Sequence, residues 1–143
     1  MLNRRLSGWK FPVVSSEIQT FLKEHLNNAS PLVISGDFDG DRRLDYAALI
    51  LHGHSFNYQG QAIGPRYHLV IFLRRHTGYK MYVIKDPGGE YLLLAKKGTS
   101  DYNYDKQKEI TYANDAILTN IFEKGGSSYV YKNGKFISFV SSD

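Results

Sequence analysis

The chain has 143 residues, a formal net charge of +4, 42% hydrophobic residues and no cysteine. This length suits a single domain, residues 1–143, that buries roughly two thirds of the surface of the unfolded chain. The apolar content excludes a disordered protein, and no apolar run approaches the roughly 20 residues of a membrane span. The lack of cysteine excludes disulfides, zinc-thiolate sites, iron–sulfur clusters and cysteine nucleophiles.

The positive charge is spread along the chain. Basic residues occur as separate pairs, at Arg4-Arg5, Arg42-Arg43, Arg74-Arg75 and Lys96-Lys97. A mildly basic, solvated surface accounts for this pattern, so nucleic acid is not an expected partner. No apolar segment follows the basic start of the chain, so we expect no signal peptide within it.

The first predicted element is an N-terminal amphipathic helix. Ser16-Glu17-Ile18-Gln19 has the pattern of a capping box, and apolar residues then recur at the helical period to about Asn27. The polar sequence from Asn27 to Pro31 predicts the end of the helix. We expect this helix to pack on a β-sheet.

Most of the remaining chain predicts strands. They cover residues 32–34, 46–51, 67–73, 79–85, 91–95, 128–131 and 136–140. Arg75-His76-Thr77-Gly78 and Asn133-Gly134 predict tight hairpin turns. Residues 115–122 fit a short helix or a strand, while residues 52–65 and 96–108 are predicted to be long polar surface connections. The fold class is therefore α+β, with one helix on a mainly antiparallel sheet.

The most informative motif is the acidic segment 36–45, which lies between two apolar runs. Asp37, Asp39, Asp41 and Asp45 take positions 1, 3, 5 and 9 of this loop. Alternate residues of a tightly curled loop point inward, and Ca²⁺ binds six to eight oxygen ligands. Carboxylates this close repel one another unless a cation or an arginine neutralises them. The segment predicts a calcium site; the alternative is an Asx-rich turn whose carboxylates only accept backbone N–H groups.

The loop resembles the calcium loop of integrin-type FG-GAP repeats, Asp-x-Asp-Gly-Asp-Gly-x-x-Asp, and more distantly the start of EF-hand and dockerin loops. The matching residues are Gly36, Asp37, Asp39, Gly40, Asp41, Leu44, Asp45 and Tyr46. The resemblance implies that the aspartate side chains and the backbone carbonyl of Arg43 are the metal ligands. Arg42 stands at the usual glycine, where positive φ is often needed, so we expect backbone strain of about 1 kcal/mol.

At larger scale the chain resembles small exported bacterial proteins of unknown function. The order that carries this resemblance is a helix, Gly-Asp-Phe-Asp-Gly-Asp, Leu-Asp-Tyr-Ala-Ala-Leu-Ile, later strands and a closing Tyr-x-Tyr-x-x-Gly-Lys-Phe. It implies a periplasmic or secreted location and no established activity. A weak calcium loop would also hold its ion only outside the cytosol, where affinities of about 10⁻⁴–10⁻³ M suffice.

Two catalytic alternatives remain open. An apolar strand ending in Asp37-Phe38-Asp39 resembles haloacid dehalogenase-type phosphatases, in which the first aspartate is the nucleophile and the second the general acid. That family needs a doubly wound sheet with alternating helices, whereas this chain predicts one helix. His52 and His54 follow the next strand and could approach a metal or a substrate, but an isolated His-x-His is a weak zinc or copper signal.

The sequence therefore predicts a small exported, non-enzymatic protein with a structural calcium loop. We expect it to act as a protein-binding module, of the inhibitor or immunity type, toward another envelope or secreted protein. The polar connections 52–65 and 96–108, the second of which carries Tyr102 and Tyr104, are the candidate recognition surfaces. The alternative is a metal-dependent hydrolase that uses the aspartate cluster.

Overall fold

The computed structural model describes residues 6–26, 30–53 and 56–142. One short helix, α1 (Ser16–Phe21), precedes the strands. The strands are β1 (Val33–Gly36), β2 (Asp45–His52), β3 (Phe56–Tyr58), β4 (Gln61–Ile63), β5 (Arg66–Arg75), β6 (Gly78–Lys85), β7 (Tyr91–Ala95), β8 (Ser100–Asn103), β9 (Lys108–Thr111), β10 (Ala116–Ile121), β11 (Gly125–Lys132) and β12 (Lys135–Ser142). No helix in these residues is long and apolar enough to cross a membrane.

The strands form two four-stranded antiparallel sheets rather than the one sheet expected. Sheet 1 has the order β1-β2-β5-β6, and sheet 2 has the order β12-β11-β10-β7. The main core lies between them, with Leu49 and Ile71 from sheet 1 against Leu92 and Ile117 from sheet 2. All four side chains are fully buried. The fold is thus mostly β, with two sheets sharing one core.

The outer faces of the two sheets are covered by different segments. Leu6 and Trp9 lie over sheet 1, where they pack with Ile50 and Val70. Helix α1 and the residue that follows it lie over one edge of sheet 2, because Ile18 and Leu22 pack against Tyr91 of β7. Successive side chains of β7 point to opposite faces of the sheet, so Leu92 faces the shared core while Tyr91 faces the helix.

The α-helix is shorter than the sequence predicts. It ends at Phe21 and continues as a π-helical segment over Leu22–Leu26. Its N-cap is Ser15 rather than Ser16: Ser15 has extended backbone angles, and its Oγ accepts a hydrogen bond from the Ile18 N–H at 3.3 Å. The capping residue must itself be non-helical, and Ser16 already lies within the helix. The predicted end at Asn27 lies outside the described residues.

Both predicted hairpin turns are confirmed. β5 and β6 pair up to Arg75 and Gly78, and β11 and β12 pair up to Lys132 and Lys135. Asn133 and Gly134 have φ of 53° and 81°, the left-handed conformation that a two-residue type I′ turn requires. Residues 116–121, which fitted a helix or a strand, form β10 in the interior of sheet 2.

The two predicted polar connections are wrong in part, because each contains a small hairpin. β3 and β4 pair across Gln59-Gly60, and β8 pairs with β9. In β8–β9 most residues are polar, so the two-residue apolar alternation that identifies a strand is nearly absent from the sequence. Asn103 closes this hairpin, since its side chain accepts a hydrogen bond from the Lys106 N–H at 3.0 Å.

Candidate metal site in the acidic loop

The four predicted carboxylates come together between β1 and β2. One oxygen of each of Asp37, Asp39, Asp41 and Asp45 lies within 4.8 Å of the others, so this group could hold a metal ion. The aspartates become more buried toward β2: Asp41 is exposed, whereas Asp45, the first residue of β2, is fully buried. Pairing of Gly36 with Asp45 at the end of the β1–β2 ladder brings the first and last parts of the loop together.

The loop backbone takes the curled form that the spacing predicts. Gly40 and Arg42 have φ of +80° and +68°. The sixth loop position is therefore left-handed although it is arginine, and it carries the strain expected for a residue with a Cβ. Gly40 is restricted a second time, because a Cβ there would lie 2.5 Å from the Asn114 Oδ1.

Asp37 organises the loop through its carboxylate. Its Oδ1 accepts hydrogen bonds from the N–H groups of Gly40 at 2.9 Å and Asp41 at 3.1 Å, and its Oδ2 accepts from Arg42 at 2.8 Å. Asp41 does the same on a smaller scale, because its Oδ1 accepts from the Arg43 N–H at 2.9 Å. The Asx-turn alternative is thus present in the structure. It does not compete with a metal, because each carboxylate offers about four lone-pair sites.

Asp45 is the buried member of the group. Its Oδ2 accepts from the Phe38 N–H at 2.9 Å and its Oδ1 from the Arg74 N–H at 2.8 Å, so it joins the loop to the end of β5. Desolvation raises the pKa of this carboxyl to about 6, against the effect of the two backbone hydrogen bonds and with a smaller contribution from Asp39 and Asp41. A cation in the group would favour the charged form of Asp45.

An arginine that the sequence analysis missed neutralises one carboxylate. The Arg75 Nη1 lies 2.6 Å from the Asp39 Oδ2, and the Asp39 side chain is only 6% exposed. This hydrogen bond raises the pKa of Arg75. Arg42 and Arg43, the two arginines within the loop itself, are exposed and make no ion pair within the described ranges. Arg75 is the last residue of β5, so only strand pairing reveals its position.

Asp115 is the second residue that the sequence analysis missed. Its Oδ2 accepts from the Asp37 N–H at 3.0 Å, and its own N–H donates to the Asp37 carbonyl at 3.2 Å. Its Oδ1 accepts from the Lys97 N–H at 2.9 Å. Asp115 immediately precedes β10, so it ties the loop of sheet 1 to sheet 2. The only signal in the sequence is a polar Asn-Asp pair before an apolar run.

The other predicted residues lie apart from the aspartates. His52 is at the opposite end of β2 from Asp45, about 23 Å away at the rise of an extended strand. Its ring contacts that of His68 at 5.4 Å, and His68 Nδ1 is 3.0 Å from the Arg66 carbonyl oxygen. His54 lies outside the described residues. The Arg43 N–H donates a hydrogen bond to Asp41. The role of the Arg43 carbonyl as a metal ligand stays a prediction.

The antiparallel sheets differ from the doubly wound parallel sheet that the phosphatase resemblance requires. Every strand pairing in the described residues is antiparallel, and one α-helix accompanies them. The Asp37-Phe38-Asp39 segment therefore lies in a different setting from the end of a parallel strand. In comparisons with known proteins, no family model, no curated protein and no solved structure matches this chain.

Proposed function

We propose that the acidic loop binds Ca²⁺ as a structural ion, in an exported protein that acts by binding another protein. The calcium proposal rests on the spacing of the four carboxylate oxygens, which all lie within 4.8 Å of one another. Two ligands on one coordination sphere are separated by at most twice the bond length, which is about 4.6–5.2 Å for calcium and about 4.0–4.2 Å for magnesium. Four oxygens within 4.8 Å of one another fit inside one calcium coordination shell, which is the ion we propose.

The charge balance of the loop also supports a cation. Arg75 pairs with one of the four aspartates, and Asp37 and Asp41 have only backbone N–H partners among the described residues. The exposure of Asp41 leaves a path by which an ion reaches the group from solvent. A divalent cation would relieve the remaining repulsion, which backbone dipoles do only in part.

A structural role follows from what the ligands hold. Asp45 joins the loop to β5, and the Asp37 backbone joins it to Asp115 in front of β10. An ion shared by Asp37 and Asp45 would therefore link β2, which contains Asp45, to β5 and to the start of β10. The side chains that make these links are already oriented. The proposed ligands are these four aspartates and the carbonyl of Arg43.

Thermal unfolding in chelator, excess Ca²⁺ and excess Mg²⁺ tests the site. We expect calcium to raise the Tm, by several degrees once its concentration exceeds the Kd about tenfold, because that excess adds about 1.4 kcal/mol. Magnesium should have a much smaller effect. Asp37→Asn and Asp41→Asn should remove the calcium response, whereas Asp86→Asn, an exposed aspartate outside the loop, should keep it. No response of the original protein to either ion would contradict the proposal.

Export follows from the affinity that we expect. Arg42 strains the loop and Arg75 competes for Asp39, so the site should bind calcium at about 10⁻⁴–10⁻³ M, as extracellular calcium modules do. Such a site would be empty at cytosolic calcium. Isothermal titration with calcium measures the Kd directly, and a submicromolar value would remove this argument for a periplasmic or secreted location.

The proposed protein-binding surface is the β8–β9 hairpin and the residues beside it. Tyr102 and Tyr104 are 41% and 45% exposed, and their rings contact each other at 4.8 Å. Exposed tyrosines held on a fixed hairpin are typical contact residues for a protein partner, here another envelope or secreted protein. Chemical cross-linking from position 104 on intact cells, with position 124 as the control, tests this surface.

A further inference from the structure

A cleft of about 380 Å³ lies on the outer face of sheet 2, between β9 and the hairpin of β11 and β12. Its floor is apolar and is formed by Ile110, Val130, Ile137 and Phe139. The first two pack against the buried cluster of Tyr112 and Phe139, so the floor is part of a fixed layer. The volume is within the range of about 300–1,000 Å³ found for small-molecule sites.

The cleft is preformed because the hairpin beside it is fixed to sheet 2. The Tyr104 N–H donates to the Val140 carbonyl at 3.0 Å, and the Val140 N–H donates to the Asp105 Oδ2 at 3.3 Å. Below the hairpin, the Tyr112 hydroxyl lies 2.7 Å from the Asp101 Oδ2 and 2.8 Å from the Ser128 Oγ. These bonds hold the walls in place without a ligand.

The rim of the cleft is positively charged. Lys106, Lys108 and Lys132 line it, and none of them has an ion-pair partner in residues 6–26, 30–53 and 56–142. Asp115 is the one carboxylate among the lining residues, and both its oxygens accept backbone hydrogen bonds. Asp105 and Glu109 are close in sequence but do not line the cleft.

We propose that this cleft binds a small monocarboxylate with an aliphatic body, of the type of a medium-chain fatty acid. The aliphatic body would cover Ile110, Val130 and Ile137, and the carboxylate would meet the lysines at the rim. Burial of the apolar floor supplies the affinity and the unpaired lysines supply the preference for an anion. A small polar anion would gain little, because the floor offers it few hydrogen-bond donors.

Titration of the ¹⁵N-labelled protein with octanoate, followed by amide chemical shifts, tests the proposal. We expect saturable shifts centred on β9, β11 and β12. Octylammonium, which has the same chain and the opposite charge, should bind at least fivefold more weakly, and acetate should give no saturable shifts. Shifts centred elsewhere, or equal binding of octanoate and octylammonium, would overturn the proposal.

Substitutions separate the two contributions. Lys108→Gln with Lys132→Gln should weaken octanoate binding about threefold to tenfold, because ion pairs with exposed lysines are individually weak, and should leave octanol binding unchanged. Ile137→Gln should weaken the binding of both octanoate and octanol. Lys124→Gln, an exposed lysine that does not line the cleft, is the matched control. An octanoate affinity that the lysine substitutions leave unchanged would contradict the proposed anion site.

Discussion

Asp45 is both a buried link in the fold and one of the proposed metal ligands. Its two oxygens each accept one backbone N–H, and desolvation raises its pKa to about 6. Asparagine has one acceptor oxygen and an amide group that cannot accept a hydrogen bond, so Asp45→Asn would leave one buried N–H unpaired. We expect a loss of about 1–3 kcal/mol of unfolding free energy at pH 7 in chelator. In calcium the loss should be larger, because the substitution also removes a proposed ligand.

The raised pKa of Asp45 gives a pH dependence with a defined sign. Its folded-state pKa of about 6 exceeds the ordinary aspartate value of 3.8, so the folded state holds the proton more tightly. In metal-free protein this contribution is fully present below about pH 4 and is lost as the pH rises to about 6, with a total on the order of 3 kcal/mol.

Urea unfolding at pH 4, 5 and 6 in chelator measures this dependence, with Asp45→Asn as the reference. The difference between the original protein and the variant should shrink as the pH rises. Saturating calcium should remove the trend, because metal binding requires the ionised carboxylate. A pH-independent difference in chelator would contradict the raised pKa.

Arg42 is the second residue whose chemistry can be tested alone. Its φ is +68°, so Arg42→Gly removes left-handed strain and a positive charge beside the carboxylates. We expect a gain of about 0.5–1 kcal/mol in chelator and a tighter calcium Kd. Arg43→Gly is the control: it removes the same charge, but Arg43 has no positive φ, so it should improve the affinity without stabilising the protein in chelator.

At the scale of elements, the turn before β7 is locked against β10. Gly89 lies against β10: a Cβ on Gly89 would be 2.6 Å from the Thr119 Cβ and 2.8 Å from the Asn120 N. The Pro87 carbonyl of the same turn accepts hydrogen bonds from the hydroxyls of Thr119 at 3.1 Å and Tyr129 at 2.7 Å. The turn therefore has little room to move away from the strand.

We expect Gly89→Ala to destabilise the protein by about 2 kcal/mol or more, because an added Cβ would collide with backbone and side-chain atoms of β10. Gly134→Ala provides the comparison. Its φ is +81° and the space around it is open, so only backbone strain of about 1 kcal/mol applies. Equal losses in chemical denaturation would mean that the turn relaxes away from the strand.

At the scale of the molecule, Asp115 connects the two sheets at the acidic loop. It bonds Asp37 on one side and Lys97, beyond β7, on the other. We therefore expect calcium to slow amide hydrogen exchange in β7 and β10 of sheet 2 as well as in β1 and β2. Asp115→Asn, which gives up one of the two acceptor oxygens, should confine the protection to sheet 1.

Hydrogen exchange with mass spectrometry, in calcium and in chelator, measures this coupling. Asp105→Asn is the matched control, because its carboxylate bonds the Val140 N–H away from the loop. It should leave the calcium effect on both sheets intact. If calcium slowed amide hydrogen exchange only within the loop of the original protein, coupling through Asp115 would be contradicted.

The sequence predicted the features that depend on neighbours along the chain. The aspartate spacing predicted a group of carboxylates, the position of Arg42 predicted positive φ, and Asn133-Gly134 predicted a type I′ turn, all of which the structure contains. Each is local, because backbone angles within a loop or turn are limited by the residues in it. The calcium ion itself stays a prediction.

Tertiary structure alone decided the rest. Arg75 and Asp115 lie 36 and 78 residues from their partners in the loop, and their positions depend on strand register and on sheet packing. The split into two sheets has the same origin, because one alternating pattern suits either sheet and only packing of the inner faces selects the partner. The sequence determined that four carboxylates converge, and the fold determined how their charge is balanced and which strands they join.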